Sequence, residues 1–184
     1  MPFKTVITPR LIVRAPRPDD LADFLAYRND PENLRFQAVE PTTEANAIAF
    51  LQRQAALDIG AGACWMMCAL ELPGSGRMIG EVGIYLAPVK ERAGNIGWSI
   101  HRDFQGQGFA GEGAGALLDF AFAACNLHRV TANSDPRNVA SIRVMERLGM
   151  RHEGSMRQSQ CIGGAWQDEH LYAILREEWR SECS

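Results

Sequence analysis

The stretch with the most chemistry in it is Gln105-Gly106-Gln107-Gly108-Phe109-Ala110, which follows a short polar turn, His101 to Phe104, and opens a helical pattern. Glycines at a helix N-terminus leave backbone N–H groups uncovered and let an anion approach closely. The aligned peptide dipoles add partial positive charge at the same place. The segment therefore reads as a diphosphate cradle, or else as a glycine-rich turn that caps a helix and binds nothing. A P-loop is excluded, because no Gly-Lys pair occurs in the chain. Gly106-x-Gly108-x-x-Gly111 satisfies the dinucleotide fingerprint literally, and Asp135 ends the next strand about where a ribose-binding acid could lie. Against that reading, four residues separate the preceding strand from Gln105, and the unit stands mid-chain beside a hairpin.

Two further residues sit where chemistry and local structure compete. Asn138 is well placed to cap a helix running to Leu148, and Ser141 falls in its first turn. Either could instead face a ligand. Among the carboxylates, Glu81 reads as a solvated strand residue and Glu112 as a charge favoured in a helix's first turn. Both are also candidate proton acceptors. His101, His128, His152 and His170 have no metal-ligand spacing, so no metal is expected.

The elements that would hold these residues follow from local signals. Leu11 to Arg14 is a β-branched run ended by Pro16 and Pro18. Asp19 or Asp20 can cap a helix carrying Leu21, Phe24, Leu25 and Arg28, ending near Asn29-Asp30-Pro31. A second helix spans Thr43 to about Asp58, with Ala47, Ile48, Leu51 and Ala55 on one face. Cys64–Leu70 and Met78–Tyr85 form a hairpin about Pro73-Gly74-Ser75-Gly76. Asn95–Ile100 is a strand, Gly108 to about Cys125 a helix, and Arg129–Asn133 a strand. The helix from Asn138 closes at Gly149. Two last strands, near Arg151–Gln160 and Glu169–Leu175, flank Gly163-Gly164. Trp65, Trp98 and Trp179 read as core or rim packing. The order β-α-α-β-β-β-α-β-α-β-β predicts a mixed sheet with helices on its faces, an α+β or α/β domain spanning residues 1–184.

Composition narrows the function classes. A chain of 184 residues with 46% hydrophobic and 22% charged residues can bury a core without staples. A net charge of −3 argues against nucleic acid as the partner. The five cysteines, Cys64, Cys68, Cys125, Cys161 and Cys183, are odd in number and lack a Cys-x-x-Cys pair, which suggests reduced thiols. No run of about 18 apolar residues and no signal segment is present, so no membrane association and a cytoplasmic location are expected.

A third cradle, the acetyl-CoA loop Gln/Arg-x-x-Gly-x-Gly/Ala, is met by Gln105-x-x-Gly108-x-Ala110. With it the chain resembles the GNAT superfamily, and within it the RimJ/RimL-like ribosomal-protein N-acetyltransferases. The resemblance runs through Thr8-Pro9-Arg10-Leu11, Ile79-Gly80-Glu81-Val82-Gly83, Gly94-Asn95-Ile96-Gly97-Trp98 and Asp135-Pro136-Arg137-Asn138-Val139-Ala140-Ser141. It continues through Leu148-Gly149-Met150, Glu153-Gly154 and Gly164-Ala165-Trp166-Gln167-Asp168. Each piece is weak alone; their joint order and spacing are specific.

The resemblance implies a three-layer fold with a mixed, mostly antiparallel seven-stranded sheet, splayed between strands four and five, and about four helices. It implies an acyl-CoA-dependent N-acetyltransferase, with acetyl-CoA as cosubstrate, a primary amine as acceptor, and transfer by direct attack. Trp98, Ser99 and Ile100 would line the pantetheine arm, and a backbone N–H nearby would stabilise the oxyanion. The amides from Gln105 to Ala110 (Gly106, Gln107, Gly108 and Phe109 between them) would hold the diphosphate. Asn138 would contact the pantetheine arm and Ser141 the departing sulfur. Gln107 stands where relatives often carry a basic residue, leaving Arg102 or Arg143 for the 3′-phosphate. Gln160 stands where ribosomal-protein members carry a glutamate base. Trp166 and Asp168 would order the last hairpin. The acceptor stays open between a protein N-terminus and a small-molecule amine, as does a non-catalytic acyl-CoA sensor. Relatives are often dimers, so a homodimer is an open expectation.

Overall fold

The computed structural model describes residues 3–59 and 62–179. Cys183 lies outside the described residues. In chain order the elements are β1 (Val6–Ile7), β2 (Ile12–Arg14), α1 (Leu21–Arg28), α2 (Pro31–Leu34), α3 (Glu44–Ala55), β3 (Cys64–Glu71) and β4 (Met78–Leu86). They continue with β5 (Ala93–Ile100), α4 (Phe109–Ala123), β6 (Arg129–Ser134), α5 (Val139–Arg147), β7 (Arg151–Ile162) and β8 (Ala165–Leu175). One sheet holds the strands in the order β1-β2-β3-β4-β5-β6-β8-β7. Only β5 and β6 run parallel among the described pairs. That arrangement rules out a doubly wound dinucleotide fold, whose strands would be mostly parallel.

Among the described residues the sheet has eight strands, not seven. The extra one, β1, pairs Val6 with Val13 and Ile7 with Ile12, and at two residues it is too short for alternation to reveal. Among the described residues there are five α-helices rather than about four. Asn29-Asp30-Pro31 ends α1 and also starts α2, because the Asp30 carboxylate accepts from the Glu32 N–H at 2.9 Å and Pro31 takes the first helical position. The last hairpin also runs closer to its Gly163-Gly164 turn than the apolar pattern suggests.

The uninterrupted apolar run of β3 is explained by burial on both faces. Met66, Cys68 and Leu70 join a core with α4 and α5, while Met67 and Ala69 join Phe24, Tyr27 and Leu51 on the opposite face. Three layers result: α1 and α3 on one side, the sheet, then α4 and α5. α4 approaches β3 closely at Gly113, where a Cβ would stand 2.6 Å from the Leu70 side chain.

Asp20 does not cap α1 as expected. Its carboxylate is buried, taking the Arg14 guanidinium at 2.8 and 2.6 Å and the Arg17 N–H at 2.6 Å. Arg14, only 2% exposed, also donates to Glu71, so one guanidinium holds β2, β3 and the start of α1 together. Thr43 does cap α3, accepting from the Asn46 N–H at 3.3 Å.

The feature that matters most for function is a broken pairing. β5 and β6 pair only at Ala93↔Arg129, Gly94↔Val130 and Asn95↔Thr131, yet β5 continues to Ile100 and β6 to Ser134. Beyond Asn95 the two parallel strands diverge toward their C-terminal ends. With β1 counted, they are the fourth and fifth strands of the sequence reading.

Candidate active site

A cleft of about 570 Å³ opens where β5 and β6 part. Five consecutive residues of β5, Asn95 to Ser99, line it. Residues of alternate faces can all reach one cavity only when the cavity borders the strand's edge, where main-chain groups are exposed. The opposite wall comes from Ala132 to Asp135 of β6 and its loop, with Asn138 and Ser141 beside it. Trp98 also packs on the core, and Trp65 lies at the rim, its ring 2.3 Å from where a Cβ on Gly83 would stand. Ile100 is not part of the lining. It is buried, and its carbonyl accepts from the side chains of Asn33 and Gln105.

The 105–110 loop leaves β5 at this same diverging end. Gly106 and Gly108 have φ of +72° and +87°, left-handed values that a side chain would strain. Gly108 stands before the first turn of α4 with no side-chain cap, and among the described residues none accepts from the N–H groups of Phe109, Ala110 or Gly111. These are the donors that a helix start presents to an anion. The loop's own side chains brace it. Gln105 donates to Asn33 at 2.9 Å and Gln107 to the Asp103 carbonyl at 3.0 Å, so Gln107 is turned back on its loop. Arg10 donates to the Gln107 carbonyl at 2.9 Å and lies over the Phe109 ring. Gly111 has nothing within 4 Å of an added Cβ, so it lacks the close-packing role of the third glycine in a dinucleotide loop. Arg102 is paired with Asp30 at 3.1 Å, and Arg143 is exposed on α5.

Asn138 caps α5, its carboxamide accepting from the Ser141 N–H at 3.1 Å, while both residues face the cleft. Capping and lining are here the same geometry: the cap fixes the first turn, and the first turn carries the hydroxyl. Gln160 also lines the cleft.

Three carboxylates line the cleft, and tertiary contacts decide which partners each one has. Glu81 is 4% exposed, which corrects its reading as a solvated strand residue. It accepts from the Tyr27 hydroxyl at 2.8 Å and pairs with Arg28 at 2.5 Å. Burial, reinforced by Glu81, pushes the Tyr27 phenol well above its ordinary value and keeps it a neutral donor. Asp135 takes both the side chain and the backbone N–H of Arg137, which hold its carboxyl below the usual range despite some burial. It is not available to a ribose. Glu169 accepts only from the Ser159 hydroxyl, at 2.8 Å, and has no cationic partner among the described residues. Glu112 lies outside the cleft and ties α4 to the N-terminal strand pair. Burial opposes its charge, yet hydrogen bonds from Thr8 and Arg10 lower its pKa.

Asp168 accepts from the Gln158 N–H at 2.8 Å where β7 bulges, so it does order the last hairpin. Trp166 stays 63% exposed. Burial pushes the Cys68 thiol up and raises Cys125 to about 11, so neither supplies a thiolate. No group of three or more metal-ligating side chains occurs among the described residues. Likewise, no described helix is long and apolar enough to cross a membrane.

Residues 10–151 match the acetyltransferase (GNAT) domain. The chain belongs to the GNAT acetyltransferase family. It is 32% identical over 174 residues to YnaD of Bacillus subtilis (strain 168), an uncharacterised N-acetyltransferase, covering 95% of this chain and 98% of that one. A GNAT-family acetyltransferase of Bacillus anthracis superposes with a TM-score of 0.83 at 29% identity, over 95% of this chain and 100% of that one. The ribosomal protein uS5 alanine N-acetyltransferase of Escherichia coli (strain K12) is 32% identical over 84 residues, 46% of this chain and 43% of that protein. The chain is therefore an N-acetyltransferase of the GNAT family.

Sequence reasoning missed Tyr27, Arg28, Asn133 and Glu169. Tyr27 and Arg28 sit on a helix that reads as core, and they reach Glu81 across more than fifty residues of chain. Glu169 begins a predicted strand with no local sign of which face it takes.

Proposed function

We propose that this acetyltransferase moves the acetyl group of acetyl-CoA to a primary amine, the α-amino group of a protein N-terminus, by direct attack in a ternary complex. The observation that carries the reading is the coincidence, at one end of the sheet, of an uncapped α4 N-terminus and a strand gap. That pair fits a long ligand with a diphosphate at one end and an extended, amide-rich arm. Trp98 and Ser99 would hold the arm along the exposed edge of β5. The amides from Gly106 to Ala110, with Gln105 bracing the loop, would hold the diphosphate. The coenzyme supplies an activated acetyl group. The chain's part is to orient it, to exclude water, and to manage protons at the amine and at the departing sulfur. Ser141, held by the Asn138 cap, donates a hydrogen bond toward that sulfur.

The charge of the cleft supports an amine acceptor. Its lining holds Glu81, Asp135 and Glu169 against Arg28 alone. An α-amino group, with a pKa of about 8, needs far less help to become neutral than a lysine amine near about 10.4. The partial likeness to the uS5 alanine enzyme points the same way. The test is a thiol-release assay with acetyl-CoA against N-terminal peptides, lysine-bearing peptides and small amines. Release with N-terminal peptides in preference to the others supports the proposal. Preference for a small amine overturns the acceptor class, and tight coenzyme binding without any release makes the protein a sensor.

A further inference from the structure

The reaction needs a group to take the acceptor's proton, and the cleft's carboxylates are not equivalent. Both oxygens of Glu81 are engaged, one by the Tyr27 hydroxyl and one by the Arg28 guanidinium. Asp135 is held by the Arg137 guanidinium through two nitrogens and by its backbone N–H. A carboxylate whose oxygens are both engaged by such donors has little accepting capacity left to meet an incoming ammonium. The hydroxyl of Ser159 is the one partner of Glu169 among the described residues, and it leaves acceptor sites free on the carboxylate.

Position agrees with this. β6 and β8 pair as far as Ser134↔His170, so Glu169 lies one step beyond the end of β6, where the cleft opens. Its strand neighbour His170 takes the other face and meets His152 edge to face, ring centroids 4.7 Å apart. Opposite, β7 loses register between Met156 and Gln160, and the bulge is held by Asp168 and Glu169 themselves. Bulges of this kind re-aim side chains beside active sites. The charged groups facing Glu169 across the cleft are the Arg28–Glu81 pair and Asp135 with its Arg137.

The geometry points to Glu169 of β8 as the proton acceptor for the incoming amine. This rests on the acetyl-transfer reading above. The acceptor arrives as R–NH3+ and gives one proton to Glu169. The neutral nitrogen then bonds to the acetyl carbon of the thioester, the carbon–sulfur bond breaks, and its electron pair leaves on sulfur. The second nitrogen proton ends on that sulfur, and the proton on Glu169 passes to solvent. Gln160, on the adjacent strand and facing the same space, cannot take this part because an amide is not a base at neutral pH.

The test is Glu169→Gln, which keeps an acceptor for the Ser159 hydroxyl and so spares the bulge. With the acceptor amine that the wild type turns over best, kcat should fall about 100-fold or more, the scale of general base catalysis, with the KM for acetyl-CoA and the melting temperature unchanged. The variant's rate should rise with pH through the amine's own pKa of about 8, so its deficit against the wild type should shrink once the amine loses its proton unaided. Adding Gln160→Glu should restore activity by returning a carboxylate to the cleft from the neighbouring strand. A kcat within about twofold of wild type, or a loss seen equally at every pH, overturns the assignment. If the wild type turns over no amine at all, the acetyl-transfer proposal itself falls, an outcome distinct from an indifferent Glu169→Gln.

Discussion

Replacing Gly108 tests the diphosphate cradle most directly. Its φ of +87° is left-handed, and an added Cβ would stand 3.3 Å from the Arg10 guanidinium. Gly108→Ala should therefore cost about 1–2 kcal/mol of folding stability through backbone strain alone. Gly108→Glu adds bulk and negative charge just before the first turn of α4, where the free amides point. If two charge-assisted hydrogen bonds of about 1.5–3 kcal/mol each are lost, affinity for coenzyme A falls by at least about 100-fold.

The consequence can be read by thermal unfolding. At a coenzyme concentration of about 100 Kd the wild type gains about 2.7 kcal/mol, and a chain of this size gains roughly 5–11 °C. For a variant bound about 100-fold more weakly, the same concentration gives only about 0.4 kcal/mol, roughly 1–2 °C. Each protein is compared with its own ligand-free baseline, so the folding cost of the substitution cancels. A Gly108→Glu protein with the full wild-type ligand shift would refute the reasoning and remove the loop from the site.

Ser141→Ala should lower kcat by far more than it raises either KM, if the hydroxyl acts only at the departing sulfur; equal kcat in steady-state assays would leave it merely part of the α5 cap. Arg14→Met should cost about 3–5 kcal/mol in urea unfolding, because Asp20 would stay buried without its cation and Glu71 would keep only the exposed Arg17 at 3.4 Å, and a loss below about 1 kcal/mol would contradict that account. Glu112, with its folded pKa lowered, contributes stability that is present above its unfolded pKa of about 4.3 and lost as pH falls through the lower folded value. Glu112→Gln should accordingly be less stable than wild type at pH 7, and urea unfolding across a pH series should show the gap closing in acid. A gap that does not change with pH would assign the loss to packing instead.

What could be read along the chain is what short-range chemistry decides. Gly106 and Gly108 announce a left-handed loop because few other residues adopt it cheaply. Thr43 and Asn138 announce helix starts because a cap bonds within three residues of itself. The Cys64–Glu71 run and its turn announce a hairpin. Asp20 misled for the complementary reason: it has the right type for a cap, but Arg14 competes for its carboxylate and wins by charge.

The tertiary structure alone decided which carboxylates are spent. Glu81, Asp135 and Glu169 look alike as letters, and each lies in or beside a predicted strand. Glu81 is engaged by Tyr27 and Arg28, far away in sequence, while Glu169 finds only a hydroxyl. A carboxylate's readiness to take a proton depends on the charges and donors within a few ångströms, and sequence separation says nothing about those distances. The divergence of β5 from β6 was likewise invisible in their residues, since it is where hydrogen bonds stop rather than where any residue type changes.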